Sequence, residues 1–317
     1  MKRKKTPKLI LVVPCYNEEE ALPFSNEKLN SVLQDLIAKD LIDYKSRILY
    51  VDDGSKDQTW PLIEQYSKES KLVSGLKLAR NKGHQYALMA GLMYAKDNAD
   101  IAISIDADLQ DDIHVIETMV RKYLDGNEIV YGVRNDRSSD SKFKRNTAQL
   151  FYKVMKWLGA KTIYNHADFR LMSSAALEAL AEYNEVNLFL RGMIPEIGFT
   201  NTTVEYERQE RQQGESKYPL KKMIALALEG ISSASSKPMF LIMGVGCGFA
   251  CLGFDAILVV LIYWIFRFLS YYWLEMGFIS LIGGLIIMTI GYVGLNVSKN
   301  YMETKHRPRY IVEKVID

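Results

Sequence analysis

The sequence predicts an α/β domain on a doubly wound, mostly parallel sheet, followed by an interfacial helix and a two-helix transmembrane hairpin. Three observations predict it. Short, β-branched apolar runs alternate with amphipathic helical patterns through residue 133, the alternation that builds a parallel sheet with helices on both faces. Two of these runs end in carboxylates, Val51-Asp-Asp-Gly-Ser55 and Ser104-Ile-Asp-Ala-Asp-Leu-Gln-Asp-Asp112, where a parallel strand delivers its last residues to a shared crevice. Two apolar runs, 239–266 and 273–297, are each long enough to cross ~30 Å of hydrocarbon.

Leu9–Val13, Ile48–Val51, Val73–Leu78, Ile101–Ile105 and Ile129–Val133 read as short buried strands. Between the first two, Leu29, Val32, Leu33, Leu36 and Ile37 share one helical face. Trp60-Pro61 opens the next helix, with proline in the first turn, where a missing N–H is harmless. Gln85 to Lys96, rich in Ala, Leu and Met, is the third. From about residue 140 the alternation loosens: Ser138 to Ser141 reads as a loop tip, Lys142 to Trp157 as a basic amphipathic helix and Asn201–Glu207 as a strand.

Residues 1–218 are therefore expected to form one cytosolic domain, 219–237 an amphipathic interfacial helix, 238–298 the hairpin and 299–317 a basic cytosolic tail. Leu220, Ile224, Ala227, Leu228 and Ile231 give the 219–237 segment its apolar face; an ordinary surface helix is the alternative. Lys237 precedes the first span, and Lys299, Lys305, Arg307, Arg309 and Lys314 follow the second, so both ends are assigned to the cytoplasm. The Met-Lys-Arg-Lys-Lys start runs straight into a strand, which is not the pattern of a signal peptide. A multi-pass plasma-membrane protein with its globular domain in the cytoplasm is the expectation.

Forty basic against 38 acidic residues leave a net charge of +2, too balanced for a nucleic-acid-coating protein. Cys15, Cys247 and Cys251 imply no disulfide framework; the last two read as small helix-packing residues rather than a soft-metal pair. Asp255 lies inside the first span, where a lipid-head pathway and pairing within an oligomer both remain open.

Two acidic clusters in one crevice repel each other unless a metal or a ligand's donors compensate them. Asp106 and Asp108 stand two apart, so in extended backbone their carboxylates share a side, with Gln110 in the same phase. Such oxygens suit Mg²⁺ or Mn²⁺, which share their coordination with substrate phosphates. In Pro14-Cys-Tyr-Asn-Glu18, Tyr16 can stack on a base and Glu18 can accept from a hydroxyl, unless the segment is a plain β–α turn. Asp53 can accept from a uracil N–H.

Val13-Pro-Cys-Tyr-Asn-Glu18, Val51-Asp-Asp-Gly-Ser55, Asn81-Lys-Gly-His-Gln85 and Asp106-Ala-Asp-Leu-Gln110 resemble the motifs of glycosyltransferase family 2, the inverting enzymes of GT-A fold. The chain is most similar to the polyprenyl-phosphate glycosyltransferases, a resemblance that extends to Arg191-Gly192, Arg211-x-x-Gly-x-Ser-Lys-Tyr218 and the hairpin. It lacks the Gln-x-x-Arg-Trp motif of the processive members. The resemblance implies Pro14, Tyr16, Glu18, Val51 and Asp53 around the nucleotide, and Asp106, Ala107 and Asp108 at the diphosphate, with Gln110 as a further metal ligand. It also implies Arg134, Arg211, Ser216 and Lys217 at the phosphates of donor and acceptor; Arg145 matches only loosely.

The expected reaction is transfer of one sugar, glucose or N-acetylglucosamine, from a UDP-sugar to a polyprenyl phosphate such as undecaprenyl phosphate. UDP is preferred over GDP on resemblance alone, and the same resemblance, with the glycine-lined spans, implies a homo-oligomer such as a tetramer. A hydroxyl acceptor would need a base, for which Asp168 in Ala167-Asp-Phe-Arg-Leu171 is the candidate; otherwise Asp168 bonds Arg170 or a backbone turn. A non-catalytic component of a glycan transporter is the third reading.

Overall fold

The computed structural model describes residues 6–134, 166–185, 188–207 and 272–317. Arg145, Arg211, Ser216, Lys217, Cys247, Cys251, Asp255, the helices predicted over 142–157 and 219–237 and the span predicted over 239–266 all lie outside the described residues.

Leu-Ile-Leu-Val-Val-Pro-Cys forms β1 (Leu9–Cys15), which is buried along its whole length. A strand with no polar phase needs cover on both faces, the signature of a central parallel strand. Leu9, Leu11 and Val13 join one core, Ile10 and Val12 the other. From β1 the chain runs through α1 (Leu22–Ala38), β2 (Arg47–Asp52), α2 (Thr59–Glu69), β3 (Val73–Leu78), α3 (His84–Asn98), β4 (Ile101–Ser104), α4 (Val115–Leu124) and β5 (Ile129–Arg134). It continues through β6 (His166–Ser173), α5 (Ser174–Ala181), α6 (Leu190–Glu196), β7 (Asn201–Tyr206), α7 (Tyr272–Thr304) and β8 (Val312–Ile316).

The eight strands form one sheet in the order β7-β5-β6-β4-β1-β2-β3-β8. Strands β4, β1, β2 and β3 run parallel, and β5 runs parallel to β7. Strand β6 lies antiparallel between β4 and β5, and β8 lies antiparallel on β3. Helices α1, α2 and α4 cover one face and α3, α5 and α6 the other. Leu29, Leu33 and Leu36 of the predicted α1 stripe are fully buried, each worth about 1.5–3 kcal/mol of transfer free energy.

The five predicted strands and three helices of the first half all form. The antiparallel strands were not foreseen. In β6 the buried face carries Asp168 and Arg170, which disguises it as a polar segment until the two charges are seen to pair. The 299–317 segment is not simply a basic tail, because its last residues form β8. Ile316 packs where Gly75 of β3 leaves room; a Cβ on Gly75 would sit 2.9 Å from Ile316 Cγ1 and 2.6 Å from Ile63 Cγ2. Further contacts dock the segment: Ala79 N–H donates to the Ile311 carbonyl at 2.9 Å, Lys314 pairs with Glu64 at 2.6 Å, and Arg309 donates to the Tyr183 carbonyl.

Helix α7 starts within a residue of the second predicted span and continues to Thr304. Counted over described side chains alone, no helix is long and apolar enough to cross a membrane. The full α7 sequence, however, is charge-free from Met276 to Ser298, and its 33 residues extend about 50 Å at the α-helical rise.

Candidate active site

The carboxyl ends of β1 and β2 are stitched into one rim. Asn17, at φ 53°, donates its N–H to Ser55 Oγ at 3.0 Å, and its side-chain Oδ1 accepts from Lys56 N–H at 2.9 Å. Glu18 N–H donates to Thr59 Oγ1 at 2.9 Å, and Asp53 N–H to the Cys15 carbonyl at 2.9 Å. These bonds leave the Tyr16 ring 38% exposed, as stacking on a base requires. Pro14 and Val51 are paired across β1 and β2. The Val51 side chain is fully buried in the core under α3, so only its backbone remains for the nucleotide role.

Asp53 is buried, and its carboxylate reaches the next loop: Oδ1 accepts from Lys82 N–H and Oδ2 from Gly83 N–H, both at 2.8 Å. Burial raises its pKa while these two amides pull it down, with a net rise. Each oxygen keeps a second lone pair for a nucleobase N–H. Gly54 between the strands has φ 68°, and a Cβ there would lie 2.7 Å from Asn81 N. The Val-Asp-Asp-Gly-Ser and Asn-Lys-Gly-His-Gln motifs are thus two halves of one joint.

Asp106 and Asp108 follow β4 in a turn, with Leu109 N–H donating to the Asp106 carbonyl at 3.2 Å. The expected extended backbone is absent, because Leu109 takes φ 44°, a left-handed conformation costing about 1–2 kcal/mol for a side-chain-bearing residue. Strain of this kind concentrates at functional sites. Asp106 and Asp108 still face outward between buried Ala107 and Leu109, but Gln110 is buried and leaves their phase. Although 41% of the Asp106 side chain meets the crevice, protein crowds its other sides. Desolvation, with Asp111, Asp168 and Asp108 nearby, outweighs His84 and pushes its pKa up to about 6.

Among the described residues no group of three or more His, Cys, Asp or Glu side chains could enclose a metal ion. Asp106 and Asp108 fit a different site, in which one or two carboxylates share Mg²⁺ or Mn²⁺ with substrate phosphates. The crowding that disfavours a bare Asp106 carboxylate is what a cation would relieve.

His84, the first residue of α3, brings the acidic groups together. Its Nε2 lies 3.7 Å from Asp106 Oδ1 and 3.6 Å from Asp168 Oδ2. Burial lowers its pKa, but Asp168 and Asp106 outweigh burial and raise it. Gly83 is held by Asp53, so the ends of β2, β3 and β4 meet through two consecutive residues.

Asp168 is not placed as a base. It is buried and accepts from Arg170 Nη2 at 2.5 Å and from Arg191 at 3.1 and 2.9 Å. Burial alone would raise its pKa; Arg191, His84 and Arg170 together overcome burial and hold it well below the usual carboxylate range. The expected alternative, a bond to Arg170, is what forms.

Arg134 ends β5, where its Nε and Nη2 donate to Asp111 Oδ1 at 3.1 and 2.8 Å. Tyr206 OH donates to the same oxygen at 2.6 Å. His84, Asp111, Arg191 and Tyr206 received no individual role from sequence, and Arg170 only that of a partner for Asp168. His84 and Arg191 stood within quoted motifs, and the i,i+2 spacing of Asp168 and Arg170 was a usable signal for a pair on one strand face.

The sequence profile described as glycosyl transferase family 2 matches residues 10–181, from β1 through α5. The chain belongs to glycosyl transferase family 2. It is 48% identical to the uncharacterized glycosyltransferase YkoT of Bacillus subtilis (strain 168), over 98% of this chain and 93% of the relative. It is 36% identical to the bactoprenol glucosyl transferase of Shigella phage SfV, over 96% of this chain and 98% of that protein. Among solved structures, glucosyl-3-phosphoglycerate synthase from Mycobacterium tuberculosis aligns with a TM-score of 0.46 at 17% identity, covering 72% of this chain and 80% of its own. The protein is a glycosyltransferase with a GT-A-like mixed α/β sheet.

Proposed function

We propose that this glycosyltransferase moves one sugar, glucose or N-acetylglucosamine, from a UDP-sugar to a polyprenyl phosphate such as undecaprenyl phosphate, inverting the anomeric carbon. The reaction runs at the cytoplasmic face of the plasma membrane, with 239–266 and the apolar part of α7 as the hairpin. The observation that carries this reading is the clamp on Asp168. A carboxylate committed to two guanidinium groups is a weak proton acceptor. A sugar hydroxyl would need a better acceptor than Asp168, whereas a lipid monophosphate, with a second pKa of roughly 6, is already largely dianionic at neutral pH and needs none. The Shigella phage relative is a bactoprenol glucosyl transferase, in keeping with a lipid acceptor.

A phosphate oxygen of the acceptor forms its bond to the anomeric carbon as the bond to the nucleotide's β-phosphate oxygen breaks. The electron pair leaves with the diphosphate. Tyr16 and Asp53 hold the nucleotide, while Arg134, with Arg211, Ser216 and Lys217, meets the phosphates. Mg²⁺ or Mn²⁺, held by Asp106 and Asp108 and without the buried Gln110, would neutralise charge on the diphosphate.

The chain path supports a crevice near the lipid surface. Strand β8 runs antiparallel to β3 with Val312 opposite Leu78, so chain leaving α7 enters the sheet at the carboxyl end of β3. Tyr16, Asp53 and Asp106 follow strands at that same edge. Residues 305–311 span at most about 25 Å when extended.

The test supplies the full chain in lipid with radiolabelled UDP-glucose, UDP-N-acetylglucosamine or GDP-mannose, plus undecaprenyl phosphate. Organic-soluble label from a UDP-sugar is the expected result. Label transferred only to hydroxyl acceptors, or none with any donor, overturns the proposal.

A further inference from the structure

We infer that Asp111 and Tyr206 are positioning residues that hold the Arg134 guanidinium for the acceptor phosphate. The inference rests on the lipid-phosphate reading above and assigns a division of labour within that site.

Sheet order separates the two substrates. The nucleotide groups Tyr16 and Asp53 follow β1 and β2, and the acidic turn follows β4. Strands β5 and β7 lie on the far side, beyond β6. Arg134 and Tyr206 are the last residues of β5 and β7 and are paired in register. Asp111 reaches them from the acidic turn, directly after Gln110. One side chain therefore links the turn that faces the donor diphosphate to the cation on the acceptor side.

The geometry is that of an orienting contact. Three donors converge on the single oxygen Asp111 Oδ1: Arg134 Nε, Arg134 Nη2 and Tyr206 OH. Asp111 and Tyr206 are buried, whereas 27% of the Arg134 side chain is exposed, so the two groups that hold the guanidinium are shielded from water while the arginine itself remains accessible. The Tyr206 ring is itself fixed edge-on against Phe169, with centroids 5.6 Å apart. Engaging the guanidinium along its Nε–Nη2 edge fixes its plane, which matters for a planar fork meeting a tetrahedral anion. A buried ion pair adds little net stability by comparison with packed apolar residues, so neutralisation alone is a poor account of three convergent donors.

The test is steady-state kinetics of the full chain in lipid, varying undecaprenyl phosphate and UDP-sugar separately, for Tyr206→Phe, Asp111→Asn, Arg134→Lys and the Tyr206→Phe/Arg134→Lys double variant. Tyr206→Phe keeps the ring and removes one hydrogen bond, so it remains informative where Asp111→Asn fails to fold. Its acceptor KM should rise about fivefold, the scale of one hydrogen bond, with donor KM and stabilisation by UDP unchanged. In the Arg134→Lys background the same change should add nothing, because no fork is left to orient. An unchanged acceptor KM in Tyr206→Phe, or additive effects in the double variant, overturns the inference while wild-type transfer stands. Absence of lipid-phosphate transfer in the wild type overturns the underlying reading and this inference with it.

Discussion

Replacing Asp168 with Asn separates the two roles open to this carboxylate. Of its two guanidinium partners, Arg170 has no exposed side-chain surface, while Arg191 bonds both carboxylate oxygens but is 35% exposed, so water screens part of that pairing. Removing one side of a buried pair costs about 3–5 kcal/mol. An Asn oxygen still accepts one bond, so the lower end, about 3 kcal/mol, is expected, or a melting shift of about 6–12 °C for a domain of this size. The depressed pKa gives a second readout. Its stabilisation is present above the unfolded carboxylate value of about 3.9 and is lost as pH falls through the folded value. Wild-type protein should therefore lose melting temperature below about pH 4 more steeply than Asp168→Asn. Turnover, assayed well below the variant's melting point with undecaprenyl phosphate, should fall by less than about tenfold, since removal of a general base costs about 10²–10⁴-fold. An unchanged melting curve together with a loss in that larger range would refute the clamp and restore Asp168 as a base.

Inserting a Gly-Ser segment after Lys305 should depress transfer to acceptor embedded in vesicles while sparing transfer to a short-chain acceptor in detergent; equal loss in both would contradict the tethered-crevice reading. Gly75→Val places methyls where Ile63 and Ile316 already stand, so it should destabilise the domain by about 1–3 kcal/mol and speed amide exchange across 312–316, and unaltered exchange there counts against the docked strand. Gly54→Ala, strained at φ 68° and in collision with Asn81, should weaken UDP-dependent thermal stabilisation, and full retention would dissociate that joint from nucleotide binding. Asp108→Ala should abolish the additional stabilisation that Mn²⁺ gives in the presence of UDP, and persistence of that increment would remove Asp108 from the metal site.

The first half of the fold was legible because its strands are continuous apolar runs, as in Leu9–Val13, and its helices show either a stripe, as in Leu29–Ile37, or a run rich in Ala, Leu and Met, as in Gln85–Lys96. The rim at the ends of β1 and β2 was legible as two motifs, but not the joint between them, which Asp53 makes through the Lys82 and Gly83 amides and Gly54 through its close approach to Asn81. Asp168 and Arg170 were harder, since two opposite charges on one strand read as surface until the further partner of Asp168, Arg191 in α6, is known. The Asp106–Asp108 pair was found by the wrong geometry. Leu109 bends the chain out of strand conformation, and the shared direction of the two carboxylates comes from a turn. Asp111 was hidden by its company, one of several acids of which only it turns inward to Arg134.

The position of β8 also sets an order of manufacture. The edge of β3 stays unpaired until the ribosome has released Val312–Ile316, by which time everything upstream, α7 included, has already been synthesised. A nascent catalytic domain is thus one strand short until Val312–Ile316 emerge to pair with β3. Any truncation upstream of Val312, however far from Asp106 in sequence, leaves a bare strand edge of the kind that recruits neighbouring chains into aggregates.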